Sequence, residues 1–216
     1  MNLKVVEKKY YGEDVVKLVL ESEELKTVDV HGKIAILSVD GKNKRPYSIG
    51  MKISAHKILF FIKKVGVTSG QLYDLNIGDD VQCPLIYASS FGRNLKSQEA
   101  KICCIGGGVG VSPLINLLKY NKNHESMLVS SFRTVNEAII NSQYTHDIDA
   151  VDRNVFITRE MSNQYKNGRI SKEDIDFKSC NFKAFYICGT KDFCDIIVIY
   201  LAEHGIDTDK IFVESW

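Results

Sequence analysis

The chain has 216 residues, 44% apolar and 25% charged, with a formal net charge of +1. That length supports one large or two small domains with a proper core, and the near-neutral charge excludes the strongly basic or acidic classes that seek nucleic acid or anionic membranes. The longest apolar run, 196–202, is too short to span a bilayer, the N-terminus has no signal-peptide core, and six cysteines without a CxxC pair suggest no zinc or iron–sulfur site but a reducing, cytoplasmic setting.

In the first half, segments 3–10, 14–21, 33–39, 46–53, 57–65 and 80–88 alternate or run apolar, and turn signals such as His31-Gly32 and Asp40-Gly41 separate them. A short helix is expected over 71–76. Evenly spaced short strands predict a small antiparallel barrel of Greek-key type. The polar stretch 92–99 is the linker candidate, so the domains are expected at 1–96 and 97–216.

The rhythm then changes. Strand 102–105 leads to helix 113–120, strand 127–131 to helix 135–144, and strand 154–158 to a loop and the short segment 171–175. Strand 185–188 leads to helix 191–204, with His204 at its C-terminus, and strand 210–213 ends the chain. Alternating β and α predicts a doubly wound parallel sheet covered by helices on both faces.

The second half is organised around its first glycine turn. An apolar strand runs into Gly106-Gly107-Gly108-Val109-Gly110, followed by Ser112 as expected N-cap and Pro113 as first helical residue. This arrangement aims free N–H groups and a helix dipole at a phosphate, or else makes a tight strand–helix turn with no ligand. Pro113 stands where GxGxxG would need its third glycine, and no Gly-Lys-Ser/Thr closes a P-loop.

Four motifs in order, Arg45-Pro46-Tyr47-Ser48, Gly107-Gly108-Val109-Gly110-Val111-Ser112-Pro113, Tyr186-Ile187-Cys188-Gly189 and the final Glu214-Ser215-Trp216, span essentially the whole chain. Together they resemble the ferredoxin–NADP reductase family. The resemblance implies an FAD-binding barrel followed by an NAD(P)H-binding domain. Within the Arg45–Pro46–Tyr47–Ser48 motif, Arg45 would pair with the FAD pyrophosphate, Tyr47 would lie flat on the isoalloxazine, and Ser48 would hydrogen-bond near flavin N5. Gly66, Thr68 and Ser69 resemble the family's second pyrophosphate loop, with Thr68 where relatives often carry glycine. Either Tyr87 or Phe91 could stack on the adenine.

In the second half the resemblance gives Gly107, Gly108, Gly110, Ser112 and Pro113 to the NAD(P)H pyrophosphate. NAD binders usually place an acid at the end of the second strand, and here that position reads Ser131-Phe132-Arg133. With Thr158-Arg159-Glu160 and Gly168-Arg169, both similar to stretches in NADP-using relatives, this favours NADP through Arg133, Thr158, Arg159 and Arg169. Cys188 and Gly189 would sit beside the nicotinamide with Ser48 and Glu214. Trp216 would cover the flavin face opposite Tyr47 and move aside for the nicotinamide.

The implied activity is hydride transfer between NAD(P)H and FAD, then single-electron delivery to ferredoxin or flavodoxin, with no metal and no nucleic-acid or membrane partner. Two alternatives stand beside it. One is the reductase subunit of a larger assembly, against which the lack of a cysteine-rich segment after the last strand is weighed. The other is a dinucleotide-binding module without turnover.

Overall fold

The computed structural model describes residues 1–94, 100–121, 125–141, 152–174 and 181–216. The chain divides into two compact units, Met1–Arg93 and Asn94–Trp216.

The first unit is a seven-stranded, barrel-like antiparallel sheet. Its strands are β1 (Asn2–Tyr11), β2 (Val15–Glu21), β3 (Lys33–Ser38), β4 (Arg45–Ser48), β5 (Met51–Ser54), β6 (Lys57–Lys63) and β7 (Asp80–Ala88), in the order β4-β3-β7-β1-β2-β6-β5. Period-two alternation sends Leu3, Val5, Val16, Leu18, Phe60 and Ile62 into one core. The expected single strand 46–53 is two strands at opposite edges of the sheet. The break is at Ile49 and Gly50, whose N–H groups donate to the Lys33 carbonyl on β3 (3.0 Å) and the Leu59 carbonyl on β6 (2.8 Å). Those two bonds carry the chain from one edge of the sheet to the other.

Helix α1 spans Val67–Asp74, earlier than the expected 71–76, because Gly66 already takes the N-cap position. A four-residue helix, α2 (Ser90–Arg93), stands at the start of the expected linker, most of which lies outside the described residues. The Ser89 hydroxyl accepts from the amides of Phe91 and Gly92, and Phe91 anchors the turn in the interior.

Lys52 has a structural role that its charge conceals. Its ammonium donates to the carbonyls of Leu25 (2.7 Å), Lys26 (3.2 Å) and Val28 (2.8 Å), closing the end of the 3-10 turn Glu23–Thr27. Losing a charged donor to part-buried carbonyls costs about 2 kcal/mol. Lys52→Met is therefore expected to lower the unfolding midpoint of the first unit by several degrees in a thermal melt; an unmoved midpoint would reduce Lys52 to a surface lysine.

The second unit is a six-stranded sheet, every pairing of which is parallel: β8 (Ile102–Gly107), β9 (Met127–Phe132), β10 (Asp152–Ile157), β11 (Lys166–Asn167), β12 (Ala184–Gly189) and β13 (Ile211–Ser215), in the order β11-β10-β9-β8-β12-β13. Helix α4 (Lys191–Glu203) packs on the face bearing Cys103, Ile105, Phe185 and Ile187. Helix α3 (Val111–Tyr120) covers the other, where a Cβ on Gly106 would meet Val111 and Leu114 within 3 Å. The helices thus lie on both sides of the sheet, as its buried strands require.

Two helix expectations need correction. A 3-10 turn, Gly108–Gly110, runs directly into α3, so the helix starts at Val111 with Gly110 as its cap. Ser112 and Pro113 are its second and third residues, and the missing proline N–H still costs nothing within the first turn. The described part of the expected helix 135–144 is two 3-10 turns, Val135–Glu137 and Ile139–Asn141; 142–144 lie outside the described residues. Two asparagines and three β-branched residues in seven leave little helical preference to sustain a longer turn.

Candidate cofactor sites and their relatives

In the first unit, Arg45 and Tyr47 share one face of β4, while Pro46 and Ser48 lie on the other. Arg45 is exposed, with one guanidinium nitrogen donating to the Lys44 carbonyl at 2.8 Å. Tyr47 packs against the barrel core. Burial pushes its phenol up to about 12, against a smaller opposing pull from the Arg45 charge.

A raised phenol pKa favours the folded state fully below about 10, and that contribution is lost as pH rises through about 12. The wild-type melting temperature is therefore expected to decline across that alkaline window more steeply than that of Tyr47→Phe. Parallel declines would mean that Tyr47 is no more buried when folded than when unfolded.

The turn at Gly66 has its own internal bonding. The Ser69 hydroxyl accepts from the amides of Val65 (3.0 Å) and Gly66 (2.9 Å) and donates to the Gly66 carbonyl, so it is fully engaged within the turn. Thr68 is buried, and its hydroxyl donates to the Asn43 carbonyl at 3.4 Å. The amides of Val67, Thr68 and Ser69 are left in the first turn of α1, where no intrahelical acceptor reaches them. Nothing lies within 4 Å of where a Gly66 Cβ would stand. Open backbone, a helix N-terminus and an exposed arginine two residues beyond Asn43 suit a pyrophosphate. Of the two expected adenine partners, Phe91 is fully buried while Tyr87 is exposed.

In the second unit, the glycine turn, Cys188, Glu214 and Trp216 all fall at the carboxyl edge of the sheet. The strand order reverses between β8 and β12, the switch point where open α/β sheets bind ligands. The glycines do different things there. Gly108 adopts φ +55°, with nothing within 4 Å of a Cβ position. A Cβ on Gly107 or Gly189 would instead meet the Phe193 ring, at 3.2 and 2.6 Å. On Gly110 it would stand 2.4 Å from the Cys188 carbonyl oxygen and 2.6 Å from the Trp216 ring edge. Gly108 thus leaves backbone open to a ligand, while the others admit protein side chains. Among the described residues the Ser112 hydroxyl, buried at the start of α3, has no hydrogen-bond partner. A helix N-terminus, an orphaned hydroxyl and an open glycine fit a dinucleotide pyrophosphate.

Cys188 and Glu214 are register neighbours on β12 and β13. Burial, then the Glu214 carboxylate and Cys194, drives the Cys188 thiol well above its ordinary value, so it is protonated at neutral pH. Trp216 is half exposed; its amide donates to the Gly189 carbonyl at 3.4 Å, and its ring edge and the Cys188 carbonyl converge on Gly110.

Arg133, Arg159 and Arg169 follow β9, β10 and β11, three adjacent strands. The Arg159 amide donates to the Arg133 carbonyl (2.9 Å), and both the amide and hydroxyl of Thr158 donate to the Phe132 carbonyl. Arg159 and Arg169 are exposed and Arg133 is half-buried. The Glu160 carboxylate accepts from the Val135 amide at 2.6 Å, pinning the two strand ends together. Sequence reasoning missed Phe193 and the Asp40–Gln71 bond (3.0 Å) and gave Glu160 no role of its own, because each acts through a partner distant in the chain.

Among the described residues no cluster of His, Cys, Asp and Glu could hold a metal, and no helix is long and apolar enough to cross a membrane. No family model matches the chain. A probable dihydroorotate dehydrogenase B (NAD(+)) electron transfer subunit from Pyrococcus abyssi is 28% identical over 160 residues, covering 74% of this chain and 59% of that protein. The chain therefore spans about three-fifths of that relative's length. The flavohem-like FAD/NAD-binding domain of nitric oxide dioxygenase from Vibrio cholerae is 18% identical with a TM-score of 0.83, covering 100% of this chain and 98% of that one. A ferredoxin NADP+ reductase from Neisseria gonorrhoeae, solved with FAD and NADP, is 14% identical with a TM-score of 0.78, covering 100% and 98%. Those two likenesses establish the fold, and with the sequence relative they agree with the resemblance carried by the motifs: this chain has a ferredoxin–NADP reductase-like fold.

Proposed function

We propose that the chain is a cytoplasmic flavoprotein reductase that takes a hydride from NAD(P)H, with NADPH favoured, onto FAD and passes single electrons to a carrier such as ferredoxin or flavodoxin. In this reading residues 1–96 hold FAD and residues 97–216 hold the nicotinamide coenzyme. The observation that carries it is the pair of helix N-termini, one per unit, each entered through an open glycine: Gly66 before α1 and the Gly108 turn before α3. A chain built for one nucleotide has no need of the second.

FAD, when bound, supplies the conversion of a two-electron hydride into single electrons. The chain's own residues bind and orient. Arg45 and the first amides of α1 take one pyrophosphate; Tyr47 offers its ring as a stacking face, with Ser48 nearby on β4. The Gly107–Pro113 turn takes the other pyrophosphate, with Thr158 and the arginines at the 2′-phosphate. Cys188 and Gly189 form the floor for the nicotinamide, and Trp216 is displaced from it on entry. Its neutral thiol suits Cys188 to packing against an uncharged ring rather than attack on it. Glu214 adds a carboxylate where the nicotinamide acquires positive charge.

The curated relative's name favours a second reading, an electron-transfer subunit that uses NAD and hands electrons to a partner subunit. Reduction of an artificial dye by the purified chain, run with NADPH and with NADH, tests both. Faster turnover with NADPH supports the first reading, and NADH-only turnover with a copurifying subunit the second. No turnover with either coenzyme in the flavin-loaded chain leaves only a nucleotide-binding module.

A further inference from the structure

The turn before β4 and helix α1 are joined by one carboxylate. Asp40 accepts from the amides of Lys42 (2.9 Å) and Asn43 (2.8 Å), from the Asn43 side-chain amide (2.6 Å) and from the Gln71 side-chain amide (3.0 Å); the Ser38 hydroxyl adds a longer bond at 3.3 Å. The first three set the shape of the 40–43 turn. The Gln71 bond ties that turn to α1 from 31 residues away. A second tie, Thr68 to the Asn43 carbonyl, runs beside it.

The geometry points to Asp40 as the positioning residue of the FAD pyrophosphate site, holding the turn that launches Arg45 against the helix whose N-terminus opens at Gly66. This rests on the FAD reading above. A pyrophosphate needs the guanidinium and the helix amides at fixed separation, since each contributes only if both reach the same pair of phosphates. Arg45 is exposed, and among the described residues its guanidinium bonds to the neighbouring Lys44 carbonyl alone, so its own packing does not set that separation. Asp40 does so through main chain on one side and Gln71 on the other. The Gln71 and Asn43 amides hold the Asp40 carboxyl well below the usual carboxylate range, so it keeps its full accepting capacity at working pH.

Three variants separate positioning from mere folding. Gln71→Met cuts the tie to α1 and leaves the turn's own bonds intact. Asp40→Ala removes both. Asp40→Asn can still accept from the Lys42 and Asn43 main-chain amides, and once the Gln71 and Asn43 side-chain amides flip, its new amide can donate to their oxygens.

The measurement is FAD affinity of the full chain by fluorescence titration, with 2′,5′-ADP binding followed on the same samples. Expected are losses of about tenfold for Gln71→Met and on the order of a hundredfold for Asp40→Ala, with Asp40→Asn within about threefold of wild type. Affinity for 2′,5′-ADP should be unchanged throughout. Wild-type FAD affinity in Gln71→Met and Asp40→Ala would overturn the assignment, as would equal loss of both ligands, which would mark a general folding defect. Wild-type protein that takes up no FAD would instead remove the reading on which the assignment rests.

Discussion

Gly110→Ala is expected to destabilise the second unit by about 3 kcal/mol and to weaken coenzyme binding by more than tenfold. Backbone conformation is not the reason, because Gly110 sits at φ −64°, comfortable for any residue. The reason is space. The new methyl would stand 2.4 Å from the Cys188 carbonyl oxygen, part of the sheet's main chain, and 2.6 Å from the Trp216 ring. The ring could swing away, but the strand could not yield without disturbing β8, β12 and the start of α3 together.

Gly108→Ala makes the control. There the methyl meets nothing within 4 Å, and the cost is confined to φ +55°, about 1 kcal/mol. Thermal melts of both variants should rank Gly110→Ala far below Gly108→Ala, which serves as a control for stability only, because its methyl would stand where the open backbone faces the coenzyme. The reverse order would mean that the turn is looser than its packing against β12 and Trp216 requires.

The second large effect concerns coenzyme choice. Replacing Arg133 and Arg159 together by Ala should weaken NADPH on the order of a hundredfold and leave NADH nearly untouched. The bonds joining these strand ends, Arg159 amide to Arg133 carbonyl and Thr158 to Phe132 carbonyl, are not made by the arginine side chains and survive the substitutions. Each guanidinium can offer a forked pair of donors to a phosphate, and NADH has no phosphate at that position. Comparing kcat/KM for the two coenzymes reads the effect directly. Equal losses would reject the 2′-phosphate role and strengthen the NAD-using reading.

The fold was largely legible because its strands are regular. Period-two alternation marked β1, β2, β3, β6 and β7, and short apolar runs marked β8, β9, β10 and β12. What escaped was set at a distance. Nothing local tells Ile49 and Gly50 to bond different strands, so 46–53 read as one. Two-residue β11 is too short to carry a period. Helix α1 began early because Ser69 caps the turn behind it, a bond visible only once the turn is closed.

The motifs fall on strand ends and turns, but the packing that fixes their residue types was not legible in them. Gly107 and Gly110 read from sequence as parts of a pyrophosphate turn and Gly189 as a residue beside the nicotinamide; the structure adds that a Cβ at these positions would meet Phe193, Cys188 or Trp216. Ser112 looked like a cap and is instead a buried hydroxyl without a partner among the described residues. Cys188 reads from sequence as an edge residue, yet its thiol is buried beside Glu214.

The most direct measurement is the visible spectrum of the FAD-reconstituted chain during anaerobic addition of NADPH. The account predicts a yellow protein whose flavin absorbance bleaches with stoichiometric coenzyme and returns when a one-electron acceptor is added. A chain that binds no flavin, or whose bound flavin stays oxidised with both NADPH and NADH, would contradict it.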